Sequence, residues 1–261
     1  MMLTADCLTS AWTEAGVSEG DCVLLHSNVK RWTRELLRSG NKKPLETILD
    51  SFLNAVGEEG TLIFPLFNFD FTSGVPFNVL KTPSQMGALT ELARSRANSF
   101  RSGHPVYSFC AFGKYADNIN AIMNKSAYAD DSPFGFLRQV NGKIAVLDLE
   151  DQGSMTFYHH VEEVCGVNYR YDKVFSGDYV DRNGSTELKD FSIYVRDIDK
   201  GVLTHVNPAG EGMWRTGIYK GDLPGEKSGL RTASAVDVFE YVKEIIDTGR
   251  AENMLFRYSK E

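Results

Sequence analysis

The octapeptide TFYHHVEE, residues 156–163, places His159 three positions before Glu162. On a helix that spacing puts both side chains on one side. The carboxylate then takes the proton of one ring nitrogen, orients the imidazole and raises the basicity of the other nitrogen. With an ordinary pKa of about 6.5, such a ring accepts a proton near neutral pH. His160 points about 100° away and does not share the role. A metal centre needs a third ligand and usually the spacing HxxxH; neither HExxH nor HxxEH occurs, so no metal is expected. Spacing alone leaves a solvated helix face as open as an acid–base pair.

Other nucleophilic patterns fall away on inspection. GVSEG, residues 16–20, matches the GxSxG elbow, but that elbow needs a strand before the serine and a helix after it. Here the order is reversed. Cys165 lies six positions after His159, about 240° around a helix, out of reach as a thiolate partner. No Walker A or GxGxxG stretch is present.

The elements that must position His159 read as alternating helices and strands. LTADCLTSAWTEAGV has helical apolar spacing, and CVLLHS and TLIFPLF are short apolar strands. KKPLETILDSFLNAVG is a helix with Pro44 in its first turn. A helix is expected in TPSQMGALTELARSRA, a strand in HPVYSFCAFG, a short helix in SPFGFLRQVNG and a strand in KIAVLDL. Later, Asn183-Gly184 between alternating runs predicts a hairpin, and the glycine-rich stretch 206–229 reads as a long functional loop. SAVDVFEYVKEIIDTG is an amphipathic helix and MLFRY a closing strand. The fold class expected is α/β: a layered body over residues 1–168, a smaller β-rich lobe over 169–232, and a helix and strand over 233–261 returning to the body. A cleft between the lobes is the expected seat of the site.

Composition sets the outer bounds. The chain has 261 residues, 42% hydrophobic and 24% charged, enough for a full core. No apolar run approaches the roughly 20 residues that span a bilayer, so no membrane partner is expected. The net charge of −7 argues against nucleic acid. Cys7, Cys22, Cys110 and Cys165 are scattered without CxxC spacing, and the N-terminal stretch lacks the features of a signal peptide. A cytoplasmic protein, monomer or homodimer, is expected.

Six blocks taken in order say more than any one of them. GDCVLLHSNV, GTLIFPLFN, TPSQMGALTELAR, RSGHPVYSFCAFG, DSPFGFLRQVNGKIAVLDL and TFYHHVEE resemble the aminoglycoside 3-N-acetyltransferase family, over residues 20 to 165. The resemblance implies transfer of an acyl group from acyl-coenzyme A, as co-substrate, to an amine on a sugar. The family's T-x-x-H-x-x-E falls on Thr156, His159 and Glu162, which makes His159 the general base and Glu162 its orienting partner. Asn207 resembles an asparagine that supports the histidine in some relatives. The HSNV loop, with Ser27, Asn28 and Val29, would lie against the pantetheine arm, with Lys30 and Arg31 next to it. Ser102 and His104 belong to a second block near the donor; His104 and His26 are equally open to structural roles. Phe67, Asn68 and Asp70, with Tyr158, Trp214 and Arg215, are candidates for contact with the acceptor.

One departure from the family shapes the acceptor expected. KRWTRELLRSGNKK carries Lys30, Arg31, Arg34, Arg38, Lys42 and Lys43 where relatives are small and glycine-rich. The segment is equally open to being a solvated basic helix face; as a functional rim it would bind phosphate, of coenzyme A or of the acceptor, and repel polycations. The first expectation is therefore an acyl-CoA-dependent N-acyltransferase for a nucleotide-linked amino sugar of polysaccharide biosynthesis. Aminoglycoside 3-N-acetylation, or a non-catalytic binding protein on the same fold, are the alternatives.

Overall fold

The apolar run CVLLHS forms β1 (Cys22–Ser27), at the middle of the main sheet. The computed structural model describes residues 3–97 and 100–259. Among them, β1 pairs in parallel with β2 (Thr61–Pro65) on one side and β5 (Lys143–Leu147) on the other. β4 (Phe109–Gly113) adds antiparallel to β2; β10 (Leu230–Ser234) and β9 (Lys220–Gly221) add antiparallel beyond β5. The order is β4-β2-β1-β5-β10-β9.

Strand side chains alternate between faces, and here both faces are covered. Val23, Leu25, Leu62, Phe64, Ala145 and Leu147 point into one core. α1 (Ala5–Glu14), α2 (Lys30–Arg38), α3 (Pro44–Val56) and α4 (Ala88–Arg96) close it with Trp12, Trp32, Leu36, Phe52 and Leu89. Trp12 stacks on Phe52 at 4.6 Å and meets the edge of Trp32 at 5.5 Å. Leu24, Ile63, Ile144 and Val146 point the other way. That core is closed by α5 (Ala116–Ala121), α6 (Pro133–Gln139), α7 (Phe157–Cys165), α8 (Asn207–Thr216) and α9 (Ala235–Asp247). The result is a layered α/β body, as the alternating pattern predicts.

The predicted hairpin is β6 (Arg170–Val180) and β7 (Thr186–Arg196), with Asn183-Gly184 in its turn. β3 (Phe77–Asn78) adds to β6, and β8 (Val202–Thr204) pairs with β11 (Phe256–Tyr258).

Two expectations are corrected. The stretch 206–229 is not one long loop: it holds α8, which Pro208 helps start, and β9. The two glycines within α8 answer to packing. A Cβ on Gly210 would stand 2.3 Å from the Asp151 carboxyl carbon, and one on Gly212 would stand 1.9 Å from the Tyr241 hydroxyl. The division after residue 232 falls inside β10, whose five residues all pair with β5, so the chain is already back in the main sheet there.

Strand order marks where a site is to be looked for. β1 leads on one side to β2, while β5 lies on its other side, and ligands of parallel sheets sit outside the carboxyl ends of strands at such a switch. The segments leaving those ends are 28–31 and 148–156.

Candidate active site

α7 follows a 3-10 turn, Asp151–Gly153, and stops at Gly166, whose φ of 62° is left-handed. The helix turns its two histidines to different neighbours. His160 is fully buried and its Nδ1–H donates to the Tyr128 carbonyl at 2.6 Å. Burial pushes its pKa down to about 4, so it anchors the helix as a neutral ring. His159 keeps 18% of its side chain exposed.

Nδ1 of His159 lies 2.7 Å from Glu162 Oε2. Glu162 is 1% exposed, and Arg170 Nε stands 2.7 Å from the same oxygen. Burial raises the Glu162 carboxyl, but the Arg170 charge and the His159 hydrogen bond outweigh it, and the net shift is downward. An ionised carboxylate only accepts, so Nδ1 carries the proton and donates to it; Arg170 Nη2, 2.8 Å from the same nitrogen and itself only a donor, then makes no hydrogen bond to the ring. The His159 pKa is lowered, by burial first and by Arg170 second, against the pull of Glu162. The ring is therefore neutral at pH 7, with its lone pair on Nε2. Among the described residues that nitrogen has no hydrogen-bond partner.

Two hollows meet at His159. One, about 180 Å³, is lined by Phe67, Phe69, Tyr107, Asp151, Thr156 and Val206 among others. The other, about 200 Å³, is lined by Tyr107, Tyr128, Arg170, Tyr194, Arg196 and Thr204 among others. A third, about 270 Å³, shares Asp151 with the first and reaches Glu150, Asn207, Glu211, Trp214 and Arg231. Beneath it Asp151 is buried, accepting from the Tyr219 hydroxyl at 2.6 Å, Arg231 Nη2 at 2.8 Å and the Tyr158 hydroxyl. This clamp ties the turn before α7 to β10.

Phe67 and Thr156 thus line a hollow with His159, and Trp214 lines the third. Ser27, Asn28 and Val29 lead from β1 to α2 at the sheet's switch point; the Asn28 N–H donates to the Leu147 carbonyl at 2.8 Å. Lys30 is exposed at the start of α2. Arg31 is differently engaged: it donates to both Asp148 oxygens (2.8 and 3.1 Å) and to the Lys227 and Ser228 carbonyls. It clamps α2 to the loop before β10. Tyr158 is buried on Asp151. Asn68 staples its own loop, accepting from the Asp70 N–H and donating to the Pro83 carbonyl, while Asp70 accepts from Gln85. Arg215 is exposed on α8, 3.9 Å from Glu211.

Three expected placements come out differently. Asn207 does not hold His159: its Nδ2 donates to Glu150 at 2.8 Å and its Oδ1 accepts from the Gln152 N–H at 2.8 Å. Ser102 accepts from the Phe109 N–H, and His104 accepts from the Val106 and Tyr107 N–H groups while its other nitrogen donates to the Ser192 carbonyl. Both are fully buried, and burial holds His104 down to about 4. They brace a turn against β7 and line neither hollow at His159. Sequence reasoning missed Arg170, Asp151 and Arg231. No periodicity links Arg170 to Glu162 across the Gly166 turn, so nothing local marked it.

Comparison with known proteins now bears on this arrangement. The profile of the aminoglycoside 3-N-acetyltransferase family matches residues 24–246. The chain is 24% identical to aminoglycoside N(3)-acetyltransferase VII of Streptomyces paromomycinus, over 92% of this chain and 87% of that one. It is 26% identical to the SPbeta prophage-derived aminoglycoside N(3')-acetyltransferase-like protein YokD of Bacillus subtilis (strain 168), over 59% of this chain; the match spans 63% of that protein's length. In fold it is similar to AAC-IIIb, solved as a binary complex with CoASH, at a TM-score of 0.79 and 18% identity, covering 95% of this chain and 98% of that one.

These findings overturn the nucleotide-linked amino sugar as acceptor, since family and relatives are aminoglycoside acetyltransferases. The basic segment that suggested phosphate has a local explanation. Arg31 is consumed within the protein, and Lys30, Arg34 and Arg38 recur every four residues along the exposed side of α2. Among the described residues no helix is long and apolar enough to cross a membrane.

Proposed function

Because the chain belongs to the aminoglycoside 3-N-acetyltransferase family, we propose that it moves an acetyl group from acetyl-coenzyme A to a ring amine of an aminoglycoside. The observation that carries this reading is the open Nε2 of His159 where two hollows meet, backed at Nδ1 by Glu162. The donor is assigned to the crevice at the carboxyl ends of β1 and β5, beside residues 27–30. Its thioester then reaches His159 through the hollow lined by Phe67 and Thr156.

A sugar amine is largely protonated at neutral pH, and only its neutral form attacks. One ammonium proton is lost to solvent; His159 Nε2 takes a second from the nitrogen as it attacks the thioester carbonyl and the C–N bond forms, and later passes it to the leaving sulfur. The tetrahedral intermediate collapses with loss of the C–S bond, and the leaving thiolate takes up a proton. Holding both reactants in one ternary complex supplies much of the acceleration. The carboxylates of Glu150 and Glu211 on the third hollow suit a polycation. So does a net charge of −7.

Thiol release from acetyl-coenzyme A, measured over a panel of aminoglycosides, tests the acceptor. Turnover with none of them would refute it. His159→Ala is expected to cut kcat by about 10²- to 10⁴-fold while calorimetry still shows donor binding. Wild-type turnover in that variant would remove His159 as the base.

A further inference from the structure

The surroundings of His159 contain a third member. Arg170, the first residue of β6, is 8% exposed. Its Nη1 donates to the Tyr194 carbonyl at 3.0 Å, its Nε stands 2.7 Å from Glu162 Oε2, and its Nη2 stands 2.8 Å from His159 Nδ1. The guanidinium is planar and rigid. With one edge fixed to β7 through Tyr194, the other is delivered against the imidazole and its carboxylate together.

We propose that Arg170 is a positioning residue for the base: it holds Glu162, which accepts the Nδ1 proton of His159, in its ionised form and keeps the ring uncharged. This rests on the reading of His159 as base. Nδ1 has a carboxylate at 2.7 Å and a guanidinium at 2.8 Å; Arg170 only donates, so beside a protonated Nδ1 it acts through its charge and not through a hydrogen bond to the ring. Glu162, ionised, takes the Nδ1 proton, and a second ring proton would place a positive charge against the guanidinium.

The wider surroundings point the same way. Glu162 is the carboxylate on the ring's own helix. From the hairpin come Arg170 and Arg196, which are register partners, with Tyr194 of β7 lining the same hollow. Tyr128 packs its ring 5.4 Å from the imidazole, Tyr107 lies beyond it, and Tyr169 adjoins Glu162. Among the described residues, two cations and one anion therefore face the ring. Arg196 is exposed, so water screens it; Arg170 is not.

A purely structural Arg170, one that only neutralises buried Glu162, would affect stability and activity at every pH alike. The test is the pH profile. In Arg170→Gln the ring faces Glu162 without the guanidinium and holds its proton more tightly. The acid limb of kcat/KM is expected to move up by roughly one pH unit or more. The ring titration of His159, followed by 15N NMR and assigned against His159→Ala, should move with it. A limb and a midpoint that stay at wild-type values would overturn the proposal. Arg170→Lys keeps the charge and loses the fork, and it covers the case where the glutamine variant does not fold. It is expected to hold the acid limb in place and lower kcat several-fold. An acid limb that rises as far as in Arg170→Gln would count against the charge of Arg170 as the cause. Should no amine be acetylated by any form, the proposed function fails, while the NMR titration still decides the role of Arg170.

Discussion

With Arg170 on one side and His159 on the other, Glu162 stays ionised at 1% exposure, and replacing it tests that balance directly. Glu162→Gln keeps the shape and removes the charge, leaving the Arg170 guanidinium uncompensated in the interior. The expected loss is roughly 3–5 kcal/mol in urea unfolding at neutral pH. The Glu162 carboxyl is lowered in the folded state from 4.5, so its contribution is complete above 4.5 and fades as pH falls through the folded value. The gap between wild type and variant should therefore narrow in acid. A gap that is equal at neutral pH and well below 4.5 would mean that the carboxyl is not charged in the fold. His159 and Glu162 were legible from spacing, because a helix brings positions three apart together. Arg170 was not, because its contact depends on how β6 leaves the turn at Gly166. Arg31 misled for a related reason: its partner Asp148 is 117 positions away, and a basic side chain in sequence carries no mark of that.

The elements themselves were legible where burial imposes a period. β1, β2 and β5 announce themselves as short apolar runs because both faces of the sheet are covered. α8 did not, because its glycines resemble a loop while they serve close packing. Ordinarily an alanine in place of a helical glycine is worth about 1 kcal/mol of added stability. At Gly210 the sign should reverse, since the new methyl meets the Asp151 carboxylate and strains its bonds to Tyr219 and Arg231. Gly210→Ala is expected to lower stability by roughly 1–3 kcal/mol in a thermal melt. A higher melting temperature would show that α8 shifts freely off the turn before α7.

The whole molecule carries 35 acidic and 28 basic side chains, not counting histidine, a field that would draw in the polycationic acceptor proposed above. Raising the ionic strength shortens the Debye length from about 10 Å at 0.1 M to about 3 Å at 1 M. The KM for the acceptor should rise severalfold over that range, with kcat changing less. An acceptor KM indifferent to salt would detach the acidic surface from recognition. The distribution of the three indoles follows from the same layered plan. Trp12 and Trp32 touch each other within the helices on the far side of the sheet, while Trp214 stands in the wall of the hollow beside Glu150 and Asn207. Two emitters accordingly watch the integrity of the fold, and one watches what enters it. Occupancy and unfolding can thus be read as separate optical signals from the unlabelled chain.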